Sequence, residues 1–156
     1  MSRVVIIMGS KSDLEWSNRI KEVLEGFGVE VVMRISSAHK TPLVCHEIIR
    51  KYENEGVVFI TVAGRSNALG GFTDAQTYCP VISCPPRGGL WDVDIYSSLR
   101  MPSGVAPMVV TEPDGAALAA AKILGLSDPE LRKKVQAYQE DSRQKIIKAD
   151  EEIKNG

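Results

Sequence analysis

Short apolar runs alternate with amphipathic patterns along most of this chain. Five runs rich in β-branched residues predict strands, and these cover residues 4–8, 29–35, 57–63, 81–84 and 105–110. The runs are almost continuously apolar, which is typical of parallel strands covered on both faces. Alternating strands and helices with right-handed crossovers predict a three-layer α/β/α sandwich around a central parallel sheet. For five strands we expect the flavodoxin-like order 2-1-3-4-5.

Capping and stop signals predict where the helices begin and end. Ser12 and Glu15 have capping-box spacing ahead of the first helix, and Thr41 with Pro42 predicts the start of the second. A third helix begins near Asn67, although its two glycines, Gly70 and Gly71, each cost about 1 kcal/mol relative to alanine. Such glycines indicate a close backbone approach to another group.

The last third of the chain is helical by pattern. Residues 90–101 indicate a loop and a short helix ended by Pro102, and residues 113–126 form an alanine-rich helix. Ser127 and Glu130 have the spacing of a second capping box. The final helix runs from 128 to 154, and its stretch 139–145 contains no apolar residue. We therefore predict one domain over 1–156, with a core over 3–126 and a C-terminal helix in subunit contacts.

Composition excludes several classes of protein. The chain has 156 residues, 44% of them hydrophobic, which suits a single packed domain. Its net charge is -1, with no basic block longer than three residues, so we expect no nucleic-acid partner. No apolar stretch reaches the ~20 residues needed to cross a membrane, and we expect a cytoplasmic protein. Three cysteines without metal-ligand spacing favour small buried side chains, although Cys84, at a strand end, is conceivable as a reactive thiol.

Three loops carry the candidate chemistry. In a sheet of this order ligands bind beyond the carboxyl ends of the strands where the order reverses, which selects residues 9–13, 36–40 and 64–67. Each loop is small, hydroxyl-rich and followed by a helix N-terminus, so it favours a phosphate. The candidate phosphate donors are Ser10, Ser37, Lys40 and Ser66, whereas Asp13 is suited to ribose hydroxyls or a ring amine. For Ser12, Asp13, Thr41 and Asn67, taken singly, helix capping is the competing interpretation.

The second loop also contains His39, one of two histidines in the chain. Histidine is the side chain whose unperturbed pKa lies near neutrality, so His39 is a candidate proton shuttle, or else a partner of a nearby carbonyl. We interpret His46 as a helix-surface residue. The loops lack the P-loop and dinucleotide-binding patterns, so neither ATP nor NAD has a motif here. A phosphoacceptor domain would need acidic residues where Met8-Gly9 and Ala63-Gly64 stand. A small sugar-phosphate ligand remains.

Four ordered motifs resemble one family. Gly-Ser-Lys-Ser-Asp at 9–13, Ser-Ala-His-Lys-Thr-Pro at 37–42, Ala-Gly-Arg-Ser-Asn-Ala-Leu-Gly-Gly at 63–71 and Ser-Ser-Leu-Arg-Met-Pro-Ser-Gly at 97–104 look like the phosphoribosylaminoimidazole carboxylase family of purine biosynthesis. In its mutase class the second motif usually reads SAHRTP and the third roughly AGGAAHLPG. This chain has Lys40, Ala68 and Gly70 where that class has arginine, histidine and proline. It is instead similar to the class that carboxylates aminoimidazole ribonucleotide directly with carbon dioxide.

The resemblance implies a role for each candidate residue. His39 would handle the proton at the reacting ring carbon, and no metal or cofactor would be needed. Arg65 and Arg100 could hold charge nearby or pair at a surface. Family members are homo-octamers. The mutase reaction and, more remotely, a non-catalytic sugar-phosphate-binding domain stay open as alternatives. The ribonucleotide would be bound by Ser10, Asp13, Ser37, Lys40, Gly64 and Ser66, and the carbon dioxide pocket shaped by Asn67, Ala68, Leu69 and Gly70.

Overall fold

The computed structural model describes residues 2–90 and 92–155 and contains a five-stranded parallel sheet. Its strand order is β2-β1-β3-β4-β5, so the predicted order is confirmed. The first four strands begin and end within one residue of their predicted bounds. The exception is the last strand, which has only two residues because Pro107 precedes it and cannot donate to a ladder. The strands are β1 (Arg3–Met8), β2 (Glu30–Ile35), β3 (Val58–Val62), β4 (Val81–Ser83) and β5 (Met108–Val109).

Helices cover both faces of the sheet and complete the predicted three-layer sandwich. They are α1 (Leu14–Gly26), α2 (Pro42–Tyr52), α3 (Ala68–Asp74), α4 (Ile95–Ser98), α5 (Pro113–Leu124) and α6 (Pro129–Asn155). Alternate residues of β1 enter two separate cores: Val4 belongs to the core under α1, α5 and α6, and Val5 to the core under α2 and α3. The predicted short helix before Pro102 is present as α4, and Trp91, within that predicted segment, lies outside the described residues.

Both predicted capping boxes are wrong by a short shift along the chain. A 3-10 turn at Lys11–Asp13 precedes α1, and the reciprocal pair is Ser10 with Asp13 rather than Ser12 with Glu15. At α6 the first turn is capped by Asp128, whose Oδ1 accepts a hydrogen bond from Leu131 N at 3.0 Å. Ser127 instead donates its hydroxyl to the carbonyl of Leu124. In each case a neighbouring polar residue, Ser10 or Asp128, provides the cap in place of the predicted serine.

The two glycines of α3 face the protein itself. A Cβ at Gly70 would lie 1.9 Å from Ser83 Oγ and 3.3 Å from Thr61 Oγ1, so only glycine fits against the sheet here. A Cβ at Gly71 would lie 3.0 Å from the sulfur of Met101. The close approach predicted from the sequence is therefore helix packing on β3, β4 and the 101–105 segment.

The C-terminal helix is only partly packed on the domain. Leu131 and Val135 are buried in the core under α1 and α5, and Tyr138 meets Phe27 edge-on with ring centroids 5.3 Å apart. Every residue from 140 to 155 is exposed. The core thus includes the first turns of α6, beyond the predicted limit at 126. No helix in the described ranges has both the length and the apolar character of a membrane span.

Candidate active site

The loops that follow β1, β2 and β3 meet around one cavity at the carboxyl edge of the sheet. It is the larger of two adjoining cavities at this edge and measures about 330 Å³, a size suited to a small-molecule ligand. All six residues predicted to bind a ribonucleotide line it. Its lining consists of Gly9, Ser10, Ser12, Asp13, Ser37, Ala38, Lys40, Ala63, Gly64, Arg65, Ser66 and Leu69.

Asp13 links the first of these loops to the third. Its side chain is buried, and Oδ2 accepts a hydrogen bond from the backbone N–H of Ser10 at 3.0 Å. The other oxygen rests against Gly64, where an added Cβ would lie 2.9 Å from Oδ1. Burial raises the pKa of the Asp13 carboxyl above its ordinary value of 3.8, and the hydrogen bonds from Ser10 oppose that rise.

Replacing Asp13 with asparagine should stabilise the protein increasingly as the pH rises. The raised pKa means that the folded state binds the Asp13 proton more tightly than the unfolded state, so wild-type stability falls as the pH rises through that pKa. The asparagine side chain cannot ionise and escapes this loss. Thermal melts of both proteins at pH 4 and pH 7 should show the melting-temperature difference, variant minus wild type, growing with pH. A difference that stays constant or shrinks would contradict the assigned cause.

The turn that carries His39 is held by hydroxyl groups. Ser37 Oγ accepts hydrogen bonds from the backbone N–H groups of His39 at 3.3 Å and Lys40 at 3.2 Å, which leaves its own proton available to a ligand. Thr41 Oγ1 accepts from Ser37 N at 3.0 Å and lies 3.0 Å from Ser36 Oγ. Thr41 occupies the N-cap position of α2, but its hydroxyl stabilises the turn rather than the helix.

The His39 side chain is exposed between two residues, Ala38 and Lys40, that line the larger cavity. Across residues 2–90 and 92–155 no group is hydrogen bonded to its imidazole, so the predicted alternative, a bond to a nearby carbonyl, is absent from this structure. His46 lies on α2 and its Nε2 accepts a hydrogen bond from Arg50 Nε at 3.3 Å, as expected for a helix-surface residue. His39 itself is not among the residues that line the larger cavity, although its neighbours on both sides are.

The third loop ends at a buried asparagine. Asn67 is 4% exposed, and its backbone N–H donates to Asp94 Oδ2 at 2.8 Å while Nδ2 donates to Ser98 Oγ at 2.7 Å. Its N–H is therefore already bound within the protein. Of the other residues predicted to shape a carbon dioxide pocket, Leu69 lines the larger cavity, whereas Ala68 is exposed and Gly70 packs on the sheet.

A second, smaller cavity of about 240 Å³ adjoins the first and shares Ala63, Gly64 and Arg65 with it. Most of its remaining residues were not predicted from the sequence. Ser12 was not predicted as a binding residue either, yet it lines the larger cavity, where its hydroxyl lies 2.5 Å from that of Ser10. The rule that ligands bind beyond strand ends also applies to β4 and β5, and it could have predicted the residues of the smaller cavity that follow those strands. Those remaining residues of the smaller cavity are Asn67, Pro85, Pro86, Arg87, Asp92, Asp94, Ile95 and Thr111.

Other reactive side chains lie away from these cavities. Arg100 is exposed after α4 and lines neither cavity. Cys45, Cys79 and Cys84 are buried and free, as predicted, and burial raises the pKa of the Cys84 thiol to about 11. In the part of the chain that the structure describes, no cluster of three or more His, Cys, Asp or Glu residues is placed to hold a metal ion.

The chain matches known proteins over most of its length. The family model described as AIR carboxylase matches residues 3–145. Phosphoribosylaminoimidazole carboxylase of Archaeoglobus fulgidus is 58% identical over 153 residues, which cover 97% of this chain and 85% of that protein. The human bifunctional phosphoribosylaminoimidazole carboxylase/phosphoribosylaminoimidazole succinocarboxamide synthetase is 43% identical over 97% of this chain, which spans 36% of the human protein. The crystal structure of Treponema denticola PurE superposes with a TM-score of 0.93 at 44% identity and covers 97% of this chain and 98% of that one. The chain therefore belongs to the AIR carboxylase family.

Proposed function

We propose that this enzyme carboxylates aminoimidazole ribonucleotide with carbon dioxide, without ATP, in purine biosynthesis. The observation that carries the proposal is the larger cavity, where the three loops selected by strand order bring Ser10, Asp13, Ser37, Lys40, Gly64 and Ser66 together beside His39. Lys40 and the serine hydroxyls offer donors to a phosphate, and the Asp13 carboxylate offers acceptors to ribose hydroxyls.

The chemistry requires the protein to accept one proton from the substrate. Carbon 4 of the aminoimidazole ring is an enamine-like nucleophile, and its electron pair forms the new bond to carbon dioxide. The adduct keeps a proton on the same ring carbon until a base removes it and restores the aromatic ring. His39, exposed beside the cavity and with its imidazole free of hydrogen bonds to the described residues, is proposed to take that proton.

The carbon dioxide pocket remains a prediction in the region of Asn67 and Leu69. Leu69 is buried and lines the larger cavity, while Asn67 lines the smaller one beside it. Because the N–H of Asn67 is bonded to Asp94, we expect the donors for the developing carboxylate to be other groups, such as those of the Gly64–Ser66 loop. Gly70 contributes by allowing α3 to lie close to β4 rather than by facing the ligand.

The packing of α3 favours the direct carboxylase over the mutase. The mutase class has proline where this chain has Gly70, and a Cβ at that position would lie 1.9 Å from Ser83 Oγ. Lys40 and Ala68 also replace the arginine and histidine of the mutase motifs. These three positions support the class whose relative in humans carries a carboxylase name.

A two-part assay tests the reaction. Purified protein is given aminoimidazole ribonucleotide and bicarbonate without ATP, and in a separate reaction the isomer that is carboxylated on its exocyclic amine. We expect carboxyaminoimidazole ribonucleotide from the first reaction. Product from the second reaction alone would identify a mutase, and binding without product in either would favour the non-catalytic sugar-phosphate-binding alternative.

We further propose that the chain assembles into a homo-octamer. The exposed part of α6 carries Ile146, Ile147 and Ile153, and the segment before Pro102 exposes Leu90, Val93, Tyr96 and Leu99. Large apolar side chains clustered on a surface favour contact with other subunits. Light scattering on the purified protein measures the number of chains in the particle.

A further inference from the structure

A carboxylate from the segment before Pro102 holds the third loop of the site. Asp94 ends the 3-10 turn Asp92–Asp94, and its Oδ2 accepts the backbone N–H of Asn67 at 2.8 Å. Its Oδ1 accepts the hydroxyl of Ser97 at 3.1 Å. The same hydroxyl donates to the backbone carbonyl of Asp94 at 2.8 Å, so its single proton is shared and the bond to Oδ1 is the longer one.

The Asn67 end of this contact is buried. Asn67 and Ser98, joined by the 2.7 Å hydrogen bond from Asn67 Nδ2 to Ser98 Oγ, are 4% and 3% exposed. A hydrogen bond to a carboxylate is strong, and leaving the N–H of a residue that is only 4% exposed without its acceptor is costly. Gly64, Arg65 and Ser66, which lead into Asn67, are exposed by contrast. The loop is thus anchored at its buried end, and its exposed part lines the larger cavity.

We propose that Asp94 is a positioning residue for substrate binding, acting through the N–H of Asn67 on the loop of residues 64–66. With Asp94 in place, Gly64 and Ser66 are held in the shape that receives the ribonucleotide. Without it, the loop samples other shapes, and the apparent affinity falls by the fraction of molecules that are competent to bind. The chemical step, which depends on His39 on another loop, is changed much less. The identity of the substrate rests on the proposed function, whereas the anchoring of the loop does not.

The test combines steady-state kinetics with amide hydrogen exchange. For Asp94→Ala we expect KM for aminoimidazole ribonucleotide to rise about tenfold, as for the loss of one charge-assisted hydrogen bond, with kcat within about threefold of wild type. Exchange in the peptide that covers residues 64–70 of the unliganded protein should become at least about tenfold faster. Asp94→Asn keeps a carbonyl oxygen for the Asn67 N–H, so it should restore KM to within about threefold of wild type.

Asp92→Ala is the matched control. Asp92 lies two residues earlier on the same turn, but its carboxylate accepts from Gly88 N rather than from the third loop. Exchange in the 64–70 peptide should therefore stay as in wild type. If Asp94→Ala does not fold, Ser97→Ala, at an exposed position, removes the hydroxyl that Oδ1 shares with the Asp94 carbonyl and should still speed exchange in that peptide.

Three results would overturn the positioning role. These are a KM for Asp94→Ala within twofold of wild type, an unchanged exchange rate in the 64–70 peptide, and an Asp94→Asn variant as impaired as Asp94→Ala. A lower melting temperature with unchanged KM would likewise reduce Asp94 to a structural residue. If the wild-type protein does not carboxylate the ribonucleotide, the proposed function fails, while the exchange measurements on the unliganded protein still decide whether Asp94 anchors the loop.

Discussion

His39→Asn should bind the ribonucleotide nearly as wild type does and lose carboxylation almost completely. Asparagine is polar and compact, but it cannot accept and release a proton near neutral pH, and a positioned acid-base group is typically worth ~10²–10⁴-fold in rate. The exposed imidazole makes no hydrogen bond to the described residues, and the turn is stabilised by the hydroxyls of Ser37 and Thr41 instead. The substitution should therefore leave the turn intact. Turnover is measured by product formation, and binding by calorimetry with the same ribonucleotide.

The matched control is His46→Asn, which removes the other histidine from the surface of α2 together with its bond to Arg50. Turnover of this variant should equal that of wild type. A His39→Asn enzyme that retains most of its turnover would exclude His39 as the proton shuttle. An enzyme that loses binding and turnover in parallel would instead make His39 a binding residue.

Gly64→Ala should weaken ribonucleotide binding by about 10- to 100-fold, which corresponds to roughly 1.4–2.7 kcal/mol. The new Cβ would lie 2.9 Å from Asp13 Oδ1, so the carboxylate or the loop must move. Overpacking of this kind typically costs about 1–3 kcal/mol. Because Asp13 and Gly64 both line the larger cavity, the displacement falls on the groups that are proposed to meet the ligand. Titration calorimetry with aminoimidazole ribonucleotide measures the loss.

Two other glycines calibrate this effect. A Cβ at Gly9 would lie 3.6 Å from Asp13 Oδ2, an ordinary contact, so Gly9→Ala should weaken binding less than Gly64→Ala does. Gly26, at the end of α1, has open space around it, and Gly26→Ala should bind as wild type does. Affinity of Gly64→Ala within twofold of wild type would show that the contact between Asp13 and Gly64 does not shape the site.

The strand order and the three site loops were predictable because each depends on local pattern. Continuous apolar runs separated by helical stripes allow few topologies, and the rule for ligands at strand ends then selects the loops. This is why Ser10, Ser37 and Ser66, more than 50 residues apart at the extremes, could be assigned to one place without a structure.

Finer features depended on choices that the sequence leaves open. Ser10 with Asp13 and Ser12 with Glu15 both fit the capping-box pattern, and only the path of the chain into the cavity selects the first pair. The bond between Asp94 and Asn67 spans 27 positions and joins an irregular segment to a loop, so no periodic pattern in the sequence predicts it. The glycines of α3 indicated a close neighbour but not its identity, which for Gly70 is the serine of β4.

The fit of Gly70 over Ser83 also constrains how the sequence of this family can change. With 1.9 Å between an added Cβ and the serine oxygen, a side chain at position 70 needs a smaller residue at position 83 or a shift of α3. The two positions are therefore expected to vary together among relatives, although they lie 13 positions apart in the chain. On the proposed assignment, Ser83 in the sheet interior is among the residues that separate the two reaction classes, and exchanging residues 63–71 alone would place a side chain at position 70 against Ser83 Oγ.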